Sequence, residues 1–304
     1  MIPALLALIP SIVLLFYIYR KDRKEKEPIR LLLGCFFMGV LTIFPAVILE
    51  VLGEMILEKI FVEGTFMWAV IDSFLVVALS EELFKNLFLK IKTWKSRYFD
   101  CMFDGIVYSV FVSLGFATFE NILYIFENGI GTALLRMVTA VPGHACFGVF
   151  MGYFYSKAKL SQVQGDRRAS GRNKRLALCV PVLLHGVYDC MLMMEEEVVG
   201  EAVVGMAALV WVVYVIALFC VTFRLVRKAS HNDQYILYVP GGSSMLYNVT
   251  YLGSWQCACG RNNNGNYCTV CGQARPIVGK WRCGTCGQDA YWNFCAQCGT
   301  KQIV

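Results

Sequence analysis

The sequence predicts an all-α polytopic membrane bundle of about seven transmembrane helices, followed by small zinc-ribbon β modules. Three observations carry that prediction. Of the 304 residues, 57% are hydrophobic and only 16% charged, against roughly a quarter charged in a soluble domain. The apolar residues come in blocks of ~18–28, the length that crosses ~30 Å of hydrocarbon at 1.5 Å per residue. And eight cysteines near the C-terminus fall into closely spaced pairs.

The expected spans are 2–19, 29–52, 66–89, 103–126, 134–155, 176–194 and 198–226. The first is read as a span and not a signal peptide, because its charges follow the apolar run instead of preceding it. The loops sort by sign. Loop 1 (Arg20, Lys21, Arg23, Lys24, Lys26, Arg30), loop 3 (Lys90, Lys92, Lys95, Arg97) and loop 5 (Lys157, Lys159, Arg167, Arg168, Arg172, Lys174, Arg175) are basic. Loop 2 (Glu54, Glu58, Glu63), loop 4 (Glu127) and loop 6 (Glu195, Glu196, Glu197, Glu201) are acidic. The positive-inside rule then places the basic loops and the tail in the cytoplasm and the N-terminus outside, in the cell membrane. The formal net charge of +6 is accordingly a topology signal, and no nucleic-acid partner is expected.

Residues 1–228 form the expected membrane domain. Residues 229–254 turn polar around Pro240, Gly241 and Gly242 and read as a linker. Residues 255–304 hold a repeat of about 27 residues: Cys257 and Cys259 answered by Cys268 and Cys271, then Cys283 and Cys286 answered by Cys295 and Cys298. Each unit offers four thiolates, the set that tetrahedral Zn²⁺ takes. With little apolar core, folding leans on the metal, worth ~10–16 kcal/mol in small zinc modules. A cytoplasmic location disfavours disulfides. Two structural zinc ions and a double zinc ribbon that binds a protein partner are therefore expected. The first pair departs from the pattern as Cys-x-Cys. Cys35, Cys101, Cys146, Cys179, Cys190 and Cys220 lack ligand spacing and read as packing residues.

Ionisable residues inside spans cost at least ~2.5–3.5 kcal/mol each and mark function by default. Here Glu81, Glu82 and Lys85 fall in span 3, Glu120 and Asn121 in span 4, Arg136 and His144 in span 5, and His185 and Asp189 in span 6. Glu50 and Asp104, near span ends, are expected to snorkel. Attack of water on an amide needs a buried base and donors for the oxyanion. Adjacent glutamates point ~100° apart on a helix, so Glu81 and Glu82 are not expected to face one target equally. The same residues could bind a catalytic metal through two histidines and a carboxylate, although no His-Glu-x-x-His run is present. Counting from span ends puts Glu81 nearer the inner half of the bilayer, and Glu120, His144 and His185 at its middle or outer half.

These motifs resemble the PrsW family of intramembrane proteases, relatives of the CAAX prenyl endopeptidases. The resemblance covers about 1–228. It rests on Glu81-Glu82-Leu83-Phe84-Lys85, on Gly115 through Asn121, on Pro142-Gly143-His144 with Gly148, and on His185-Gly186-Val187-Tyr188-Asp189. It implies a glutamic-type hydrolase that cleaves membrane-anchored substrates such as anti-sigma factors, within or beside the bilayer. By the same resemblance Glu81 or Glu82 activates water, assisted by Glu120 or His144, while His185 and Asp189 position the carbonyl or stabilise its oxyanion. The CAAX branch carries a histidine where this chain has Glu120, which argues against prenyl-protein processing. The competing readings are a proton- or metal-translocating membrane protein and a non-catalytic, membrane-anchored zinc-ribbon sensor or scaffold.

Overall fold

A computed structural model of the chain describes residues 2–236, 255–263, 268–271, 281–282 and 289–290. Two compact units divide it, Met1–Tyr251 and Leu252–Val304. The first is helical throughout: α1 (Ile2–Lys21), α2 (Ile29–Leu57), α3 (Phe66–Ile71), a π-helical segment (Asp72–Val77), α4 (Ala78–Thr93), α5 (Asp104–Val138), α6 (Ala140–Val163), α7 (Arg167–Cys190), α8 (Glu196–Val199) and α9 (Glu201–His231).

The expected spans fall largely on these helices, the third running unbroken through α3, the π-helical segment and α4, the sixth passing the end of α7 at Cys190, and the seventh crossing a break at Gly200. Among the described residues, four stretches are long and apolar enough to cross a membrane by length and composition alone: Ile29–Leu57, Asp104–Phe126, Leu134–Val163 and Glu201–His231. α4 has only 16 residues and carries Glu81, Glu82 and Lys85, and α7 carries Lys174, Arg175 and Asp189. The span read as 134–155 begins on the last turns of α5, because the chain kinks at Gly129 (φ 80°) and again at Thr139.

α5 is the axis of the bundle. Of its apolar window 78% is buried, against 11% for α9, and α1, α2, α4 and α6 all pack on it. Close helix crossings make this possible. A Cβ on Gly39 of α2 would sit 1.9 Å from the Val112 carbonyl oxygen, and one on Gly115 of α5 would sit 2.0 Å from that of Phe36. In lipid, hydrophobicity does not press helices together, so small residues that let backbones touch supply the packing contact. The outward faces stay apolar, with Phe37 and Ile48 of α2 and Leu209 and Val213 of α9 all exposed. These are the faces that meet lipid chains.

The loops gather at two ends. At one, the Glu195 amide donates to the Gly64 carbonyl at 3.3 Å. At the other, Ser230 bonds the Lys21 carbonyl, Cys101 pairs with Tyr235 in a β-bridge, and the Met102 amide donates to the Gln234 carbonyl at 2.9 Å.

The second unit contains two short antiparallel ribbons, β1 (Trp255–Gln256) with β2 (Asn262–Asn263) and β3 (Trp281–Arg282) with β4 (Asp289–Ala290). Between β1 and β2 the chain turns at Gly260 (φ 85°), whose amide donates to the Cys257 carbonyl at 2.8 Å. The second cysteine set (Cys283, Cys286, Cys295, Cys298) and most of the expected linker lie outside the described residues.

Candidate active site

The ionisable residues of four spans meet in the middle of the bundle. Lys85 is the hub. Its ammonium nitrogen lies 2.8 Å from Glu81 Oε2 and 2.9 Å from Glu82 Oε1, 3.2 Å from His144 Nδ1 and 3.8 Å over the Phe116 ring. Both glutamates reach this one ammonium. Glu81 reaches Lys85 along the i,i+4 ridge and Glu82 along the i,i+3 ridge, and three flexible torsions per side chain absorb the ~100° between their Cβ directions.

Each histidine is held from behind by a carboxylate. His144 Nε2 is 2.9 Å from Glu120 Oε2, and His185 Nε2 is 3.0 Å from Asp189 Oδ2. Both Nδ1 atoms point to the centre, that of His185 lying 3.2 Å from Glu82 Oε1. An ammonium only donates, so His144 accepts at Nδ1 and donates from Nε2 to Glu120. His185 lies between two carboxylates, with Nδ1 in hydrogen-bond range of Glu82 and Nε2 at ion-pair distance from Asp189. Arg136 closes the far side, 2.7 Å from Glu120 Oε1 and 3.6 Å over the Tyr124 ring.

The surrounding wall is aromatic. Phe147 stacks on His185 at 4.7 Å, and the two imidazoles meet edge-on at 5.1 Å. Glu82 and Lys85 are fully buried, and Glu81, His144 and His185 nearly so. In such a medium each interaction is stronger than in water, and each unpaired charge more costly. Gly186 sets the depth of α7: a Cβ there would lie 2.4 Å from Phe74 in the π-helical segment. π-helical turns recur at functional sites, and this one leads directly into the helix carrying Glu81, Glu82 and Lys85.

All six predicted catalytic positions thus belong to one connected network. The separation in depth read from span ends does not hold, since ligand atoms of Glu81, Glu82, His144 and His185 lie within 4.8 Å of one another. One residue escaped the sequence reading. Glu50, expected to snorkel, keeps its Oε1 buried without a hydrogen-bond partner and faces the charges of Glu81, Glu120, Lys85 and His185. Its signal was an acidic residue one turn before Glu54 in an otherwise apolar helix, a position that sequence alone assigns to the interface. Asp104 does not snorkel either. It is 1% exposed and accepts the Asp100 and Cys101 amides at 3.0 and 2.6 Å.

In the second unit, Cys257, Cys259, Cys268 and Cys271 bring their sulfurs within 4.8 Å of one another. Cys257 and Cys271 are 3.4 Å apart, as are Cys259 and Cys268. Four thiols at this spacing can hold a metal ion.

A carboxylate–imidazole set enclosed by membrane helices is the equipment of an intramembrane peptidase. The chain belongs to the PrsW family: the family model described as PrsW family intramembrane metalloprotease matches residues 27–219. It is 40% identical to Protease PrsW of Bacillus subtilis over 183 residues, 60% of this chain and 79% of that protein. It is 34% identical to Protease PrsW of Clostridioides difficile over 238 residues, 77% of this chain and 94% of that one. No solved structure matches the chain. The protein is an intramembrane protease, a hydrolase of peptide bonds.

The family description implies a metal, and the residues present fit one. Two imidazoles and two carboxylates converge. Each imidazole is braced through its outer nitrogen by Glu120 or Asp189, the outer-shell arrangement that orients metal-bound histidines. Lys85 shares three of the four donors.

Proposed function

We propose that the protein cleaves membrane-anchored protein substrates at this site, with Glu81 activating the attacking water and Glu82 supporting it. The observation that carries the reading is the convergence of Glu81, Glu82, His144 and His185 around one buried point. Of the two glutamates on α4, Glu81 keeps the access, its side chain 5% exposed against 0% for Glu82. His144, tied to Glu120, takes the proton onward from Glu81. His185, braced by Asp189, donates the hydrogen bond that positions the carbonyl and stabilises its oxyanion. Lys85 pairs with both glutamates and turns them inward. If the family's metal is bound, Glu81, Glu82, His144 and His185 would hold it through deprotonated inward atoms in place of these proton-donating roles, and it would supply polarisation of a carbonyl and acidification of water.

Substrates resemble the anti-sigma factors implied by the sequence motifs: single-span proteins whose cleavage site enters the bundle. The basic loops face the cytoplasm of a bacterial-type cell membrane and the N-terminus lies outside. Cys257, Cys259, Cys268 and Cys271 bind one structural Zn²⁺, and Cys283, Cys286, Cys295 and Cys298 a second. The resulting double ribbon recruits a protein partner.

The test is cleavage of a single-span substrate by the full chain in proteoliposomes, with and without chelator. E81Q, E82Q and H185A abolish cleavage while the protein stays folded. Undiminished cleavage in all three overturns the assignment.

A further inference from the structure

Among the charged groups of the candidate active site, three come nearest the surface. The side chains of Arg136, Glu120 and Asp189 are 18%, 16% and 16% exposed, while those of Glu81, Glu82, Lys85, His144 and His185 are at most 5% exposed. These three form the rim of the network. Glu120 and Asp189 are occupied with the two imidazoles. Arg136 is the cation of the rim, and the roles assigned above give it nothing to do.

The donors of Arg136 are not used up. A guanidinium carries five N–H groups in a rigid fork. Nη2 of Arg136 lies 2.7 Å from Glu120 Oε1, and the guanidinium carbon lies 3.6 Å over the Tyr124 ring. Its Nε is buried with no hydrogen-bond partner among the described residues. Buried donors left unpaired are costly and uncommon, and an orphan beside a site points to a partner that arrives with the ligand.

The chain around Arg136 leaves room for one. α5 breaks at Gly129 (φ 80°, ψ −179°) and stops at Thr139, so Arg136 sits on a short helical piece between two breaks. A Cβ on Gly129 or Gly131 would meet no atom within 4 Å, and Leu134, Leu135 and Val138 are exposed. This piece can follow a ligand without dragging the buried part of α5.

The chemistry of the substrate supplies the partner. Hydrocarbon offers a peptide no hydrogen bonds, so a membrane helix that opens for cleavage frees carbonyls that each need a donor. The roles above serve the reacting carbonyl. A neighbouring carbonyl needs its own donor, and the guanidinium on the rim has one to give.

We propose that Arg136 is a substrate-binding residue, its guanidinium donating to a main-chain carbonyl of the opened substrate segment while it stays paired with Glu120. The inference rests on the reading that cleavage takes place at this site.

The test uses the full chain in proteoliposomes, with a dye-labelled single-span polypeptide that the unmodified protein cleaves as the probe. R136K keeps a cation for Glu120 and loses the fork. It is expected to raise KM about tenfold and to lower kcat far less, whereas a contact that only steadied Glu120 and His144 would act on kcat. In the E81Q background, which binds without cleaving, R136K should weaken binding of the same polypeptide by a similar factor. p-Benzoylphenylalanine placed at Tyr124, with Arg136 intact, should photocrosslink to the polypeptide, while the same probe at lipid-facing Leu209 should not. That arm reads the contact even where R136K fails to fold. Unchanged KM and binding in R136K, a loss confined to kcat, or no crosslink from Tyr124 overturns the proposal. Cleavage that persists in E81Q overturns the assignment of the site instead.

Discussion

At the scale of the residue, the site works by making every charge depend on another. Glu81 and Glu82 share one ammonium, and each histidine faces the centre with a carboxylate behind it. Removing a single partner therefore strands buried charge. K85M is expected to destabilise the bundle by about 3–5 kcal/mol, the cost of breaking a buried ion pair from one side, and to abolish cleavage; thermal unfolding in detergent measures the first effect. D189N is milder. It keeps the contact to His185 but removes the carboxylate that holds the ring, and kcat should fall about 10–100-fold with KM little changed. Near the ends of α1 and α9, burial pushes the Asp22 carboxyl from 3.8 up to about 7 and burial likewise pushes Asp233 up to about 6. The folded state then binds protons that the unfolded state releases, so the stability these groups contribute is full below about pH 4 and is lost as pH rises toward 7. The melting temperature should fall across that window, and D22N should flatten the fall.

At the scale of the element, sequence reading succeeded where one helix was at issue and failed where two had to meet. The order of the motifs on successive spans was legible, because each ionisable residue stands out in an apolar run. Their common depth was not. It depends on the π-helical segment at Asp72–Val77 and on how far α7 slides along it, which Gly186 and Phe74 decide by contact. G186V is accordingly expected to push α7 away from the π-helical segment, moving His185 off Glu82. A loss of about 1–3 kcal/mol in stability follows from the overpacking, together with a loss of cleavage larger than that of a lipid-facing control such as Leu209→Ala. Similarly, G39A would drive a methyl against the Val112 carbonyl and part α2 from α5. Glu50 was misread for the same reason: its position near a helix end was visible, but the neighbouring charges come from α4, α5 and α7.

At the scale of the whole molecule, a membrane unit with its own buried polar network is joined to a small cysteine unit that has four thiols in ligand range. The first is held by helix packing, and the second offers four thiols that can hold a metal ion. Replacing Cys257 and Cys268 by serine is expected to lower the zinc bound per chain, measured by elemental analysis, while leaving the helical circular dichroism of the membrane unit unchanged. A collapse of helicity in that variant would show that the bundle depends on the metal.

Sequence by itself determined the class of molecule: apolar blocks of bilayer length, loops alternating in charge, paired cysteines, and ionisable residues where lipid would reject them. These are properties of single segments against a solvent, and composition is enough to read them. Tertiary structure decided which of those residues touch. It joined Glu81 and Glu82 on one ammonium, put Glu120 and Asp189 behind the two imidazoles, and buried Asp22 and Glu27 in a loop that sequence counted as basic. Such groupings depend on helix crossings fixed by close backbone contact at residues like Gly39 and Gly115. A shift of one residue in those crossings would change every partner while leaving the hydropathy pattern the same.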